Sequence, residues 1–321
     1  MSAENDTSAR SRCVPEPPDP VERRTPLPGT RPKPDHEDPA ASERVRAIIE
    51  NPAYREADSD VDFLNADRAR GPRLQLDYLK PQTIMEREGL TDAIVVFGST
   101  RLREPSAARM RVLEAREACK VAPDDPAARE RLAVEERLLE KARYYDVARE
   151  FGALVGAACD CGAGRRIAIV TGGGPGAMEA ANRGAFDVGA PSVGLNIALP
   201  REQFPNPYVT PGLCFRFHYF AMRKLHFLLR ARALVAFPGG YGTFDELFET
   251  LTLVQTRKIA PLPVVLVGEA FWRRAFDVDF LVDEGVIDPE DRDLFWYAET
   301  ASQIWEGVLS WCEKAGEPLI C

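Results

Sequence analysis

The stretch ALVAFPGGYGTFDELFE, residues 233–249, decides how this chain folds. It opens on five apolar residues without polar alternation, breaks at Pro238 and three glycines, and continues in residues that suit a helix. A strand buried on both faces, a tight turn and a helix give that pattern. The same order recurs elsewhere. AIVVF (93–97) runs into FGSTR, IAIV (167–170) runs into TGGGPGAM, and SVGL (192–195) and PVVLV (263–267) supply two further apolar runs. Between the first two, residues 126–158 place apolar side chains every three or four positions, which reads as helix. Strands alternating with helices imply an α/β fold, a Rossmann-like doubly wound parallel sheet with helices on both faces.

Outward from this core the chain divides in three. Residues 1–40 hold nine of the 26 prolines among charged residues, too little apolar surface to offset ordering, and are expected to be a disordered tail. Residues 41–90 are expected to form an N-terminal extension packed on the core, starting with a short helix capped by Ser42. Residues 91–321 are expected to form the Rossmann-like domain, with 103–125 as a surface insertion.

Composition excludes several classes. No apolar run approaches the ~20 residues of a membrane span, and the first residues lack the apolar core of a secretory signal, so a cytoplasmic protein with no membrane partner is expected. A net charge of −9 without a basic block argues against nucleic acid. Seven scattered cysteines without a CxxC pair, and three histidines without HxxxH spacing, make neither a disulfide framework nor a metal site; no cofactor is expected.

In such a sheet, ligands bind outside the carboxyl ends of the strands, so the loops that follow the strands carry the function. After the first run, Gly98, Ser99, Thr100 and Arg101 offer amide, hydroxyl and guanidinium donors. After the second come Gly172, Gly173, Gly174 and Gly176, just before a helix. Their spacing fits neither GxGxxG nor a P-loop, yet glycines let the backbone approach an anion at a helix start. After the fourth, Gly239, Gly240, Gly242 and Thr243 repeat the arrangement. Two phosphate-type turns on one sheet edge point to a small phosphorylated ligand. For Glu246 the pattern leaves two roles open, because Thr243-x-x-Glu246 also matches a capping box. Arg223 and Lys224 are equally compatible with the solvated face of a helix.

The combination of GGGPGAM, AMRK (221–224) and PGGYGTFDE (238–246) resembles the LOG ("Lonely guy") family of nucleoside 5′-monophosphate phosphoribohydrolases, whose members were long labelled lysine decarboxylases. PGGYGTFDE matches the family's PGGxGTxxE throughout. In the other motif the upstream methionine position is held by Phe220 and Met222 lies directly before the arginine. The resemblance covers roughly residues 91–312. It implies hydrolysis of the N-glycosidic bond of a nucleoside monophosphate, of the AMP or cytokinin type, to free base and ribose 5-phosphate. It assigns catalysis to Arg223 and Glu246, and a homodimer is expected. Binding to substrate falls to Gly98, Ser99, Gly173, Gly174, Gly176, Lys224, Gly239, Gly240, Gly242 and Thr243, with Glu179 as a contact to the ribose hydroxyls. Asn196 and Met178 are candidates for the base pocket. Two rivals remain at this level: a non-catalytic nucleotide-binding or sensing protein of the same fold, and a pyridoxal-phosphate decarboxylase, which needs a Schiff-base lysine.

Overall fold

The computed structural model describes residues 14, 16–23, 25–30, 33–158, 166–200 and 204–320. Chain contacts divide it into two units, Met1–Arg70 and Gly71–Cys321. In the first, the described residues before Ala41 form turns and bends, followed by helices α1 (Ala41–Ile49) and α2 (Val61–Asn65). The rest of the tail, for which disorder is expected, lies outside the described residues. Ser42 does not cap α1. The helix starts one residue earlier with Ala40 at its cap position, and the Ser42 hydroxyl donates to Asp35 instead.

Around the unit boundary lies α3 (Arg70–Arg87), and the second unit continues with β1 (Leu90–Phe97), α4 (Pro105–Val121), α5 (Pro126–Lys141), α6 (Arg143–Ala157), β2 (Arg166–Thr171), α7 (Ala177–Asp187) and β3 (Ser192–Ile197). Then come β4 (Cys214–Phe217), α8 (Phe220–Leu229), β5 (Ala231–Ala236), α9 (Tyr241–Gln255), β6 (Val264–Val267), α10 (Glu269–Ala275), α11 (Val278–Asp283), β7 (Trp296–Ala298) and α12 (Ala301–Lys314). The strands make one seven-stranded sheet of order β4-β3-β2-β1-β5-β6-β7, with every described pair parallel. This is a doubly wound α/β sheet. All five expected strands are present, and β4 and β7 are additional short strands at the two edges.

The apolar runs are continuous because both faces are covered. Ile94 and Val96 join a core with Phe151 of α6, Ala181 of α7 and Val308 of α12. Val95 and Phe97, pointing the other way, join Phe227 of α8, Leu247 of α9 and Trp272 of α10. Each fully buried side chain of this size contributes about 1.5–3 kcal/mol over an exposed one, so two filled faces hold the strands firmly.

The helical stretch 126–158 is two helices, with a break at Ala142 between α5 and α6. Residues 103–125 are largely α4, which packs along α5 through Ala108, Val112 and Ala115 as a helical hairpin. One helix suffices to cross from β1 to β2, and α6 is that helix; the hairpin is an addition to the connection. The order of strands reverses between β1 and β5, since the chain leaves β1 toward β2 on one side and returns to β5 on the other. That switch point opens a crevice at the strand ends.

Candidate active site

The crevice is a cavity of about 690 Å³, and its floor is made by the loops after β1 and β5. These loops are tied together by backbone hydrogen bonds: Phe237 N–H donates to Phe97 O at 2.8 Å and Ser99 N–H to Pro238 O at 3.0 Å. The loop after β2 joins them, because the first amide of α7, on Ala177, donates to Ser99 O at 3.2 Å. Gly176 makes that approach feasible. It has φ of +80°, and a Cβ there would strike Ser99 O and Thr100.

This changes the standing of the two glycine loops. In the GGGPG loop only Gly172 and Gly174 reach the cavity surface, and the leading donor of α7 is already used inside the protein. Gly173 is held from behind, its N–H donating to Thr171 Oγ1 at 2.9 Å and its carbonyl accepting from Asn206 N–H at 2.8 Å. The loop is a wall. In the PGGYGT loop, Gly239, Gly240, Gly242 and Thr243 all line the cavity. Its helix α9 begins at Tyr241 with Gly240 as cap residue and no side-chain cap bond. The first amides of a helix have no partner within it, and the helix dipole adds partial positive charge there, so this end offers donors to an anion.

The early start of α9 also decides between the two roles of Glu246. A capping box needs Thr243 at the cap position, but Thr243 is the third residue of the helix and Glu246 the sixth. Glu246 caps nothing. Its side chain faces the cavity although the residue is only 6% exposed. Burial pushes its carboxyl above the usual range, Lys224 and Arg223 oppose that, and Glu249 and Asp245 add to it. A carboxylate of raised basicity beside a cavity is suited to accept a proton from water.

Arg223 lies on the same cavity wall. Its Nε donates to Leu195 O, at the end of β3, at 2.6 Å, and its guanidinium sits 5.0 Å from the ring centre of Phe227. Among the described residues no carboxylate comes within 4.0 Å of it. Burial lowers its pKa, with Glu246 and Asp245 acting against that; guanidinium remains charged at any physiological pH. Its helix is fixed in turn by α3. The Asp77 carboxylate accepts the N–H groups of His218 and Tyr219, both at 2.8 Å, at the start of α8. Tyr78 O lies 3.0 Å from His226 Nε2, and Gln82 accepts from Arg230 Nη1 at 2.8 Å.

Gly98, Ser99, Met178 and Asn196 also line the cavity. Four residues expected at the ligand stand elsewhere. Gly173 and Gly176 lie behind the wall. Glu179, next to Met178 on α7, accepts a hydrogen bond from the Tyr145 hydroxyl at 2.9 Å. Lys224 is not among the residues that line the cavity and pairs with Asp245 at 2.9 Å, Glu249 at 2.7 Å and Glu246 Oε2 at 3.4 Å. Burial disfavours its charge, but the bonds to Glu249 and Asp245 and the charge of Glu246 outweigh that and raise its pKa. Adjacent helical positions point about 100° apart, and here Arg223 lines the cavity while Lys224 is held by the three carboxylates of α9. The sequence reading also missed one wall entirely: Val134, Arg137, Leu138 and Lys141 of α5 close the side that the supposed surface insertion supports.

The profile of the family described as possible lysine decarboxylase matches residues 178–308, which include Arg223 and Glu246. The chain is 30% identical over 169 residues to the cytokinin riboside 5′-monophosphate phosphoribohydrolase LOG1 of Arabidopsis thaliana, covering 51% of this chain and 74% of that one. It belongs to the LOG family. Arabidopsis LOG3 is 29% identical over 51% of this chain and 74% of its own. A probable LOG-family enzyme of Oryza sativa subsp. japonica, LOGL5, is 33% identical over 44% and 57%. A solved structure, TM1055, aligns over 68% of this chain and 99% of its own at 21% identity and a TM-score of 0.41; the strand order, and not that likeness, carries the fold. The decarboxylase description finds no matching lysine in this LOG-family site. Lys224 is clamped by carboxylates and kept protonated, and Lys141, the one lysine among the described residues on the cavity wall, donates to Arg137 O at 3.2 Å. Neither is held among the donors a pyridoxal phosphate needs.

Proposed function

We propose that this chain hydrolyses the N-glycosidic bond of a nucleoside 5′-monophosphate, releasing the free base and ribose 5-phosphate. The observation that carries the reading is the position of Glu246: buried, facing the cavity, on the same helix whose open N-terminus is free to take a phosphate, and with no cap to make. At about 1.5 Å of rise per residue, Glu246 stands ~9 Å along the axis from the cap residue Gly240, so a phosphate at the helix start brings the ribose alongside the carboxylate.

The roles follow. The 5′-phosphate is held by the amides of Gly239, Gly240, Tyr241 and Gly242 with the Thr243 hydroxyl, and its binding energy aligns the remote glycosidic bond. Breaking the C1′–N bond builds positive charge on the ribose. The Glu246 carboxylate stabilises that charge and takes the proton of the water whose oxygen bonds to C1′. The electron pair of the broken bond leaves with the base, which acquires a proton. Arg223, fixed by Leu195 O, orients the ribose or phosphate electrostatically and transfers no proton. Cytokinin riboside monophosphates, named for the plant relatives, and AMP itself are the first substrates to try. We read the protein as a cytoplasmic homodimer; exposed Phe220, Leu225 and Leu229 on α8 with Tyr241 and Phe248 on α9 support a self-association face, which light scattering would test.

The test is product analysis. Purified protein is incubated with AMP, GMP, CMP, N6-isopentenyl-AMP and the matching nucleosides, and free base is separated by chromatography. Base release from monophosphates and not from nucleosides is expected. Tight nucleotide binding without base release from any of them would leave a binding or sensing protein and sink the hydrolase.

A further inference from the structure

The wall contributed by α5 has a charge pattern that a nucleoside monophosphate does not use. Arg137 and Lys141 are four residues apart, hence neighbours on one helical face, and both line the cavity together with Arg101 from the loop after β1. Five other basic side chains of the hairpin and its approach meet acids, among them Arg103 with Glu135 at 2.7 Å and Arg116 with Glu136 at 2.9 Å, while Arg109 and Arg131 stand exposed off the cavity. Among the described residues no carboxylate lies within 4.0 Å of Arg101, Arg137 or Lys141, and Lys141 reaches only the Arg137 carbonyl. The chain as a whole has a net charge of −9, yet its cavity gathers four cations, Arg223 included, against Asp245 and Glu246, both of which also meet Lys224. The open end of α9 and Arg223 serve the 5′-phosphate. That leaves three cations without a carboxylate counterpart among the described residues on the wall of a cavity of about 690 Å³.

We propose that Arg101, Arg137 and Lys141 form a second anion-binding subsite, and that the preferred ligand is a nucleotide bearing another anionic group besides its 5′-phosphate. The inference rests on the nucleotide reading above but not on hydrolysis. The second charge sits on the ribose, on the phosphate chain or on the base, and the chemistry of recognition is the same: charge-assisted hydrogen bonds from guanidinium and ammonium groups at the rim.

Calorimetry on the full chain carrying Glu246→Gln, so that ligands are not consumed, compares AMP with adenosine 3′,5′-bisphosphate, ADP and N6-succinyl-AMP. These place the extra anion on ribose, phosphate chain and base respectively. At least one is expected to bind tenfold or more tighter than AMP. Arg137→Ala combined with Lys141→Ala is expected to bring that ratio close to one. Arg131→Ala, an exposed arginine of α5 that does not line the cavity, is expected to keep it. Equal binding of all four ligands overturns the proposal. So does a ratio that survives the double substitution, or one that Arg131→Ala lowers as much. Failure of hydrolysis reads differently: no base from the unsubstituted protein, with the binding ratio intact, sinks the reaction and leaves the subsite standing.

Discussion

Replacing Glu246 by Gln should remove turnover without lowering stability, and the sign can be worked from the site. Three contributions change. A cap bond would cost about 1 kcal/mol on removal, but Glu246 makes none, since α9 starts at Tyr241. The contact to Lys224 at 3.4 Å is the weakest of that lysine's three, and the bonds to Glu249 and Asp245 remain. The third contribution favours the variant. Burial raises the folded-state pKa of Glu246 above its unfolded value, so the group's contribution to stability is full below the unfolded pKa and declines as pH rises through the folded one. Gln imitates the protonated form and escapes that decline. The difference in melting temperature, variant minus parent, should therefore be near zero around pH 4.5 and zero or positive at pH 8. A lost cap in a folded unit of this size would instead lower the melting temperature by ~2–4 °C. Calorimetric melts of both proteins across that range, beside a base-release assay, decide the matter. A variant that melts several degrees lower at pH 8, or that keeps activity, would refute the assignment.

Arg223→Ala should lower kcat/KM by roughly 10²–10³-fold, the usual cost of losing one preorganised electrostatic group, and Arg223→Lys should recover little of it because the lysine lacks the fork that bonds Leu195 O while facing the ligand. Gly172→Ala puts a Cβ 2.5 Å from Arg223 Nη2 and 2.9 Å from Met178 Sδ; steady-state kinetics should show kcat/KM down by about 10²-fold, as for a ~1 Å misplacement, with the melting temperature little changed. Lys224→Met removes the cation nearest Glu246 while Arg223 stays on one side and Asp245 and Glu249 on the other, so the acidic limb of the pH–rate profile should move to higher pH. An unmoved limb would mean Glu246 is not the titrating base.

What the sequence could carry was whatever a local pattern encodes. Long apolar runs such as AIVVF announced buried strands, whereas CFRF and WYA are four and three residues at the sheet edges, too short for a period to show. The break at Ala142 was invisible because it interrupts the backbone without interrupting the apolar spacing. At the site, glycine and acid positions were legible but directions were not. The capping-box match depended on where α9 begins, and Gly240, extended at φ −102° and ψ −157°, takes the cap position three residues ahead of Thr243. The helical period did not say which of Met178 and Glu179, or of Arg223 and Lys224, faces the cavity, since neighbours such as Asp245 and Glu246 both line it. The contribution of α5 had no signal either, because only the folded connection reveals which side of a helical hairpin leans over the crevice.

The placement of that hairpin separates two kinds of change. The residues proposed for the chemistry sit on α8 and α9, residues 220–255, braced by the sheet and by α3. One flank of the cavity hangs from an excursion in the β1–β2 connection whose helices pack mainly on each other. Residues on α5 can drift, or be exchanged by an engineer as a cassette, without moving Arg223 or Glu246. A lineage that keeps Arg223 and Glu246 in place can in this way try new ligands one helix face at a time.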